Sequence, residues 1–122
     1  MDVRLRRELI LKGFDYDGAL ERMMDDEELL GELIFDLPDD ENFEQFNANY
    51  ESGDYKEAFK NIHAIKGVMK NLGLIDTVPH LTGLSDLYKA ERYDDAEQLV
   101  KSFHNEYSEL MELINKYREI AQ

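Results

Sequence analysis

The chain contains no cysteine, and it has no long apolar run. The first absence excludes disulfide bonds, thiolate nucleophiles and cysteine-ligated metal sites. The second excludes a membrane-spanning helix, which needs about 18 consecutive apolar residues. The basic residues near the N-terminus are not followed by the apolar core of about 7–15 residues that a secretory signal has. We therefore expect a cytoplasmic protein with no membrane partner.

The motifs of a self-contained enzyme are also missing. The sequence has no glycine-rich loop that could hold nucleotide phosphates, no recognisable catalytic triad and no paired-carboxylate motif. None of the three histidines has a second histidine at a metal-ligand spacing. The acidic run Asp25–Glu28 lacks the central glycine and final glutamate of a calcium loop. These absences predict no cofactor, no metal and no autonomous catalysis.

Basic residues are scarce. The chain has 14 lysines and arginines and 28 aspartates and glutamates, which gives a net charge of −14. Such a surface repels nucleic acid, and no basic stripe compensates for it, so a nucleic-acid partner is not expected. Lys60, Lys66 and Lys70 form a local exception around His63.

Strand signals are weak, because valine, isoleucine and threonine never alternate with polar residues over a useful length. Apolar spacing, caps and breakers predict helices instead, with Gly53 ending one helix as its C′ residue and Asp54 capping the next. The predicted helices are Val3–Leu11, Asp17–Met23, Asp25–Phe35, Asn42–Tyr50, Tyr55–Leu72, one from Asp76 or Thr77 to Ala90, and Asp94–Ile120.

Short connections between long amphipathic helices predict an all-α fold, an antiparallel up-down four-helix bundle with short additional N-terminal helices. At 122 residues the chain is expected to form a single domain, 1–122. Residues 1–24 would form the N-terminal helices, and residues 25–122 the helices of the bundle. We expect a monomer.

The segment from His63 to Gly73 is the most informative part of the chain. Apolar residues around it follow the spacing of one buried helical stripe, and His63 lies off that stripe. At about 100° per residue, Lys66 and Gly67 fall within roughly 60° of His63 on the exposed side. An imidazole nitrogen is a nucleophile, a nearby ammonium attracts phosphate oxygens, and a glycine leaves room for a large partner. This arrangement suits the loading of a phosphoryl group onto His63.

The spacing is more specific than an exposed histidine beside a lysine, which usually has no function. His63 is followed by lysine at +3, glycine at +4, leucine at +9 and glycine at +10. By composition alone, a given histidine meets this pattern on the order of once in tens of thousands. Gly67 also costs the helix roughly 1 kcal/mol against alanine, so a role other than helix stability is expected.

This segment resembles the signature of histidine phosphotransfer (HPt) domains, the intermediate carriers of two-component phosphorelays. The resemblance extends to Phe14–Arg22, to Asp26–Leu30 and to the turn Glu51–Tyr55. Positions 69 and 70, often small in the family, are Met69 and Lys70. Ser85 stands where the family often has a glutamine or glutamate opposite the histidine.

The resemblance implies that His63 is the phospho-acceptor, Lys66 the phosphate-attracting cation and Gly67 the residue that gives clearance. It also implies receiver domains of response regulators, and a hybrid or chemotaxis-type histidine kinase, as partners. His63 would attack an aspartyl-phosphate on a receiver that supplies the metal ion, and would then pass the group to a second receiver. The docking surface is expected to include Ala64, Val68, Lys70 and Ser85, together with exposed residues of the predicted helix Asp25–Phe35.

Two alternatives remain open. The chain could be a binding module of HPt fold that docks receivers or kinases without carrying phosphate. It could instead be the phosphotransfer domain of a chemotaxis-type kinase system, with a kinase as donor. Of the other histidines, His80 is interpreted as a helix residue half covered by its neighbours and His104 as a solvated or packing residue.

Overall fold

The computed structural model describes every residue from Met1 to Gln122, and its regular structure is entirely helical. Three short 3-10 turns connect the helices at Leu37–Asp39, Ile75–Thr77 and Tyr93–Ala96. The predicted all-α class is confirmed: the only pairing of strand type is an isolated bridge between Phe14 and Leu74. No helix is both long and apolar enough to cross a membrane. The helices are α1 (Val3–Leu11), α2 (Tyr16–Arg22), α3 (Glu27–Asp36), α4 (Asn42–Ser52), α5 (Tyr55–Asn71), α6 (Val78–Lys89) and α7 (Glu97–Ala121).

Aspartates begin four of these helices. At each N-cap the carboxylate accepts a hydrogen bond from a backbone N–H of the first turn, a group that has no partner inside the helix. The capping residues are Asp2, Asp15, Asp26 and Asp54. The predicted cap of α5 is therefore confirmed, as is the left-handed Gly53 that precedes it, with φ 78°.

Two predicted helix starts are wrong. The helix expected from Asp25 begins at Glu27, because Met24 and Asp25 adopt positive φ angles of 56° and 62° that a right-handed helix cannot contain. The helix expected from Asp94 begins at Glu97, because Tyr93–Ala96 is wound as a 3-10 turn. Such tighter turns are frequent at helix ends, where few backbone groups have helical partners.

The four longest helices pack in chain order, with α5 between α4 and α6, and α7 against α6. Aromatic side chains bring α7 back to α4: Phe43 stacks on Tyr107 at 4.2 Å, and Phe46 meets Phe103 edge-on at 6.0 Å. The buried apolar residues form one cluster of 25 with members from every helix, so the N-terminal helices share this core rather than building their own.

The N-terminal helices attach at two places. Near the end of α7, Tyr117 donates a hydrogen bond to Glu8, and Arg118 donates 2.9 Å hydrogen bonds to the carbonyl of Phe35 and to Asp39. At the end of α5, the N–H of Asp15 donates to the carbonyl of Gly73 at 2.8 Å. This second attachment fixes the C-terminal end of the helix that carries His63.

Candidate functional site

Both ends of α5 are held. Asp54 accepts a hydrogen bond from the N–H of Glu57 at 3.3 Å, which caps the start of the helix. At the other end, the guanidinium of Arg22 donates to the carbonyls of Lys70 and Asn71 at 2.8 and 3.0 Å. These carbonyls belong to the last turn of the helix, where the regular helical hydrogen bonds end, and a cation there also interacts favourably with the helix dipole. The central turns of α5, which carry His63, therefore lie between two helix ends that are held in place.

Most of the apolar stripe predicted to be buried is buried, but Tyr55 and Phe59 at its start are only half-buried. Ile62, Ile65 and Met69 on this helix are each at most 3% exposed. Beside them lies Asn61, a buried polar residue that the sequence analysis did not single out. Its side chain exchanges hydrogen bonds with three polar side chains of α4, namely Asn42, Gln45 and Asn49. Because buried amides need partners, this network fixes the rotation of α5 against α4 and so turns His63 outwards.

His63 is exposed, and neither ring nitrogen takes part in a hydrogen bond or an ion pair. Its imidazole meets the ring of Phe59, one helical turn earlier, edge to face with a centroid distance of 4.5 Å. The aromatic contact orients the imidazole without occupying its nitrogen atoms. In its neutral form such a ring keeps one lone pair free for attack on an electrophile.

The residues predicted to assist His63 lie beside it on the helix. Lys66 is half-buried and Lys70 is exposed, and neither ammonium forms an ion pair. Gly67 is exposed and has an ordinary helical φ, and a Cβ added to it would meet no atom within 4 Å apart from its chain neighbours and the backbone of its own helix. The surface around His63 therefore combines unpaired cations with open space.

The charge of α5 contrasts with that of the whole chain. This helix contains four lysines and one glutamate, a balance of +3, in a chain whose net charge is −14. Only Lys60 among the four is neutralised locally, by Glu57 at 3.1 Å. Lys66 and Lys70, the unpaired lysines that follow His63 along the helix, can attract an anion such as a phosphoryl group.

On the side that faces α3 and α4, a shallow groove of about 250 Å³ runs beside the site. Val68 lines it from α5, and Leu33 and Asp36 line it from α3. Ala64 is half-buried on the same side of α5. The structure thus brings Val68 close to α3, the helix that was expected to contribute further docking residues.

Ser85 does not belong to this surface. It is only 2% exposed, because α6 turns it into the core together with Leu81, Leu84 and Tyr88. The prediction that Ser85 contributes to a docking surface is therefore wrong. Counting from Gly73 correctly assigned the residue to α6, but without the rotation of that helix it could not distinguish a residue on the surface from one beneath it.

The other two histidines lie on different helices and have other neighbours. His80 is half-buried on α6, and its Nδ1 lies 2.7 Å from the carboxylate of Glu106 on α7. His104 is exposed on α7, with its ring 5.2 Å from that of Phe43. Both therefore serve the packing between helices in the structure, as the sequence analysis interpreted them. No group of three or more histidines and carboxylates is close enough together to hold a metal ion.

Three residues of the site were not singled out from the sequence. Phe59 lies four residues before His63, a spacing that makes side chains neighbours on a helix, so its contact with His63 had a local signal. Asn61 also had one, as a polar residue at a position that helical spacing places next to the buried stripe. Arg22 lies 48 residues from Lys70 along the chain, so its cap on α5 emerges only from tertiary packing.

A cavity of about 210 Å³ lies elsewhere, between the end of α1, the loop before α6, and α7. Leu9, Thr77 and Leu110 line it, and His63 does not. The candidate chemistry is thus on a convex helix surface and not in a pocket that could enclose a small substrate. A nucleophile in such a place needs a partner to complete the reaction site.

The relationships of the chain were sought by comparison with protein-family models, with curated proteins and with solved structures. None of the three comparisons found a match.

Proposed function

We propose that this protein is a histidine-containing phosphotransfer protein, which carries a phosphoryl group on His63 between aspartates of receiver domains. One observation carries the proposal: an exposed imidazole with no hydrogen-bond partner lies on the cationic side of α5, beside the unpaired Lys66 and the open space at Gly67. The resemblance of the His63–Gly73 segment to the HPt signature points the same way.

The chemistry follows from this arrangement. A ring nitrogen of neutral His63 attacks the phosphorus of an aspartyl-phosphate, so that an N–P bond forms and the P–O bond to the aspartate breaks. The carboxylate leaves with the bonding electron pair, and the other ring nitrogen keeps its proton. Lys66 offsets charge on the phosphoryl oxygens, which is the main requirement of phosphoryl transfer. The reverse reaction delivers the group to a second receiver.

The partner supplies what the convex surface lacks. Receiver domains, with a hybrid or chemotaxis-type histidine kinase upstream, are the proposed partners, and the receiver brings its metal ion and the rest of the reaction site. Ala64, Val68 and Lys70 are the proposed docking residues, since they are partly or fully exposed around His63. We propose a monomeric carrier in the cytoplasm.

The packing order of the helices supports the finer fold proposed with this function. Successive long helices, α4 to α7, pack side by side, and α7 returns to α4 through Phe43 and Phe46. An antiparallel up-down four-helix bundle with short additional N-terminal helices has this order of neighbours. Such a bundle would present one long helix with a free outer side, as a phosphocarrier requires.

The test is transfer from phosphorylated receiver domains of the source cell to the complete chain, followed as acid-labile phosphate on the protein. The wild type should accept phosphate from at least one receiver, and His63→Gln should accept none while keeping the wild-type melting temperature. His80→Gln and His104→Gln are matched controls and should accept phosphate normally. Acceptance by His63→Gln would contradict the proposal.

Two further measurements on the same protein separate the alternatives, namely binding of receiver domains and phosphorylation by a kinase with ATP. A chain that binds receivers but never takes phosphate is a binding module. A chain that is phosphorylated by a kinase with ATP, and by no receiver, is the donor-side domain of a chemotaxis-type system.

A further inference from the structure

A second groove flanks α5 on the side opposite to Val68. It lies where α5 meets α6 and the 3-10 turn that follows α6. It is shallow, with a volume of about 240 Å³. We call it the aromatic groove, and it is lined by Tyr55, Lys56, Phe59, Tyr88, Lys89 and Tyr93.

The walls of the aromatic groove are held by contacts between the rings. Tyr55 stacks on Tyr93 with centroids 4.0 Å apart and planes 12° from parallel. Tyr88, which is 4% exposed, meets both rings edge-on at 5.9 and 5.2 Å. Such packed rings lose little freedom when something binds them, so the groove is formed in advance. Its volume is below the roughly 300–1,000 Å³ of small-molecule sites and suits a single apolar side chain.

The charged residues that line the groove are two lysines. Lys56 and Lys89 are exposed, and neither forms an ion pair. No carboxylate lines the groove. Of the acidic residues next to its lining residues in the sequence, Glu57 pairs with Lys60, while Asp94 is exposed and forms no ion pair. An apolar slot between two free ammonium groups is complementary to an apolar side chain flanked by carboxylates.

The groove is also connected to the phosphorylation site. Phe59 lines the groove, and its ring also contacts the imidazole of His63. A segment seated in the groove would therefore lie one helical turn from His63, on the side of α5 that carries Lys66. The groove on the other side of α5, which Val68 lines, contains Asp36 and Asp40 and offers no such cations.

We propose that the aromatic groove binds an acidic segment of the partner protein, with one apolar side chain between the tyrosines and carboxylates on Lys56 and Lys89. This inference rests on the proposed function in one respect, that the partner is the protein which exchanges phosphate with His63. The groove would then select which partners dock, while Lys66 and Gly67 serve the transfer itself.

The binding test uses two five-residue probes with blocked ends, Asp-Glu-Phe-Glu-Asp and its counterpart with serine in place of phenylalanine. Isotope-labelled protein is titrated with each peptide at low salt and observed by NMR. The phenylalanine peptide should shift the amide signals of Lys56, Lys89 and Tyr93 with millimolar affinity, and the serine peptide should bind at least several-fold more weakly. Added salt should weaken the binding.

The matched variants carry equal changes of charge. The double variant Lys56→Glu/Lys89→Glu should reduce peptide affinity by about tenfold or more, since it removes two attractive contacts and adds two repulsive ones. The control Lys101→Glu/Lys116→Glu changes two lysines of α7 and should bind the peptide with no more than a twofold loss. Shifts confined to α1, equal binding of the two peptides, self-association that shifts the groove residues, or no shifts at all would each overturn the proposal.

Two further measurements separate this inference from the function on which it rests. Phosphorylation of His63 by the small donor phosphoramidate needs no docking segment, so both double variants should react at the wild-type rate. Transfer from the receiver should show a raised KM in the groove variant and an unchanged kcat. If His63 reacted with phosphoramidate in neither the wild type nor the variants, the phosphocarrier function would be contradicted, while peptide binding could still be observed. An unchanged KM in the groove variant would contradict only the proposed role of the groove.

Discussion

Gly67 and Gly73 lie six residues apart, one inside α5 and one just after it, and their surroundings differ completely. At Gly73 the backbone has a φ of +74°, and an added Cβ would lie 2.5 Å from the carbonyl oxygen of Asp15 and 3.0 Å from the Cβ of Ala19. At Gly67 the φ is helical and an added Cβ would meet nothing within 4 Å apart from its chain neighbours and the backbone of its own helix. The fold requires glycine at one position and not at the other.

This difference shows how a structural glycine can be told from one that needs another explanation. Gly73 ends the helix in a conformation that alanine tolerates poorly, and it lets α2 approach closely. Gly67 weakens the helix by roughly 1 kcal/mol relative to alanine, and no close contact in the isolated chain requires a glycine there. A cost with no structural gain, one turn from an exposed nucleophile, is expected where a partner must approach.

The strongest test of the contrast in stability is Gly73→Ala. A left-handed alanine and a clash with backbone that cannot move should together destabilise the protein by about 2–4 kcal/mol in chemical denaturation. Gly53→Ala is the control, because its φ of +78° imposes the same strain while its surroundings are open. It should cost only about 1 kcal/mol. Equal losses at the two positions would mean that the contact with Asp15 does not matter.

The strongest test of the contrast in function is Gly67→Glu. The variant should fold with at least wild-type stability, yet phosphoryl transfer from a receiver should fall by about a hundredfold, because the side chain fills the space beside His63 and repels phosphate. Gly67→Gln separates the two causes, since it has nearly the same bulk without the charge. Normal transfer in both variants would show that Gly67 does not provide clearance.

Lys66→Ala tests the charge beside His63, whereas the variants of Gly67 test the space beside it. One charge-assisted contact to a phosphoryl oxygen is worth roughly 1.5–3 kcal/mol, so transfer should slow by about one to two orders of magnitude. Stability should change by less than about 0.5 kcal/mol, since Lys66 forms no ion pair. Lys60→Ala, which removes the partner of Glu57, should transfer normally, and an equal loss in both variants would point to general surface charge instead.

The smallest effect is expected for Gly67→Ala. Alanine suits helical backbone better and meets no neighbour here, so the free energy of unfolding should rise by roughly 0.4–1 kcal/mol. A pair of melting curves is sufficient to measure the change. A lower melting temperature would mean that the position is more crowded than the structure has it, and the distinction between the two glycines would be lost.

The helices were largely predictable because their signals are local. The stripe containing Ile62, Ile65 and Met69 and the cap at Asp54 follow from neighbouring residues, and both are confirmed. The ends at Glu27 and Glu97 were missed where backbone conformation departs from the helical pattern. At Met24 and Asp25 the positive φ angles occur in residues that carry side chains, so no glycine marks the turn in the sequence.

The site was predictable only as far as one helix extends. Spacing along α5 places His63, Lys66 and Gly67 together without knowledge of the rest of the fold. Ser85 was misplaced and the aromatic groove was missed, because both depend on how α6 is rotated against α5. Rotations of this kind result from core packing and from networks such as that of Asn61, which sequence spacing alone does not contain.

The central claim is that His63, and neither other histidine, accepts the phosphoryl group. The most direct measurement is a proton–nitrogen NMR correlation spectrum of the three imidazole rings, recorded before and after incubation of the complete chain with phosphoramidate. The account predicts that only the ring signals of His63 move, and that they return when acid removes the phosphate. Movement of the signals of His80 or His104, or no movement of any ring, would contradict it.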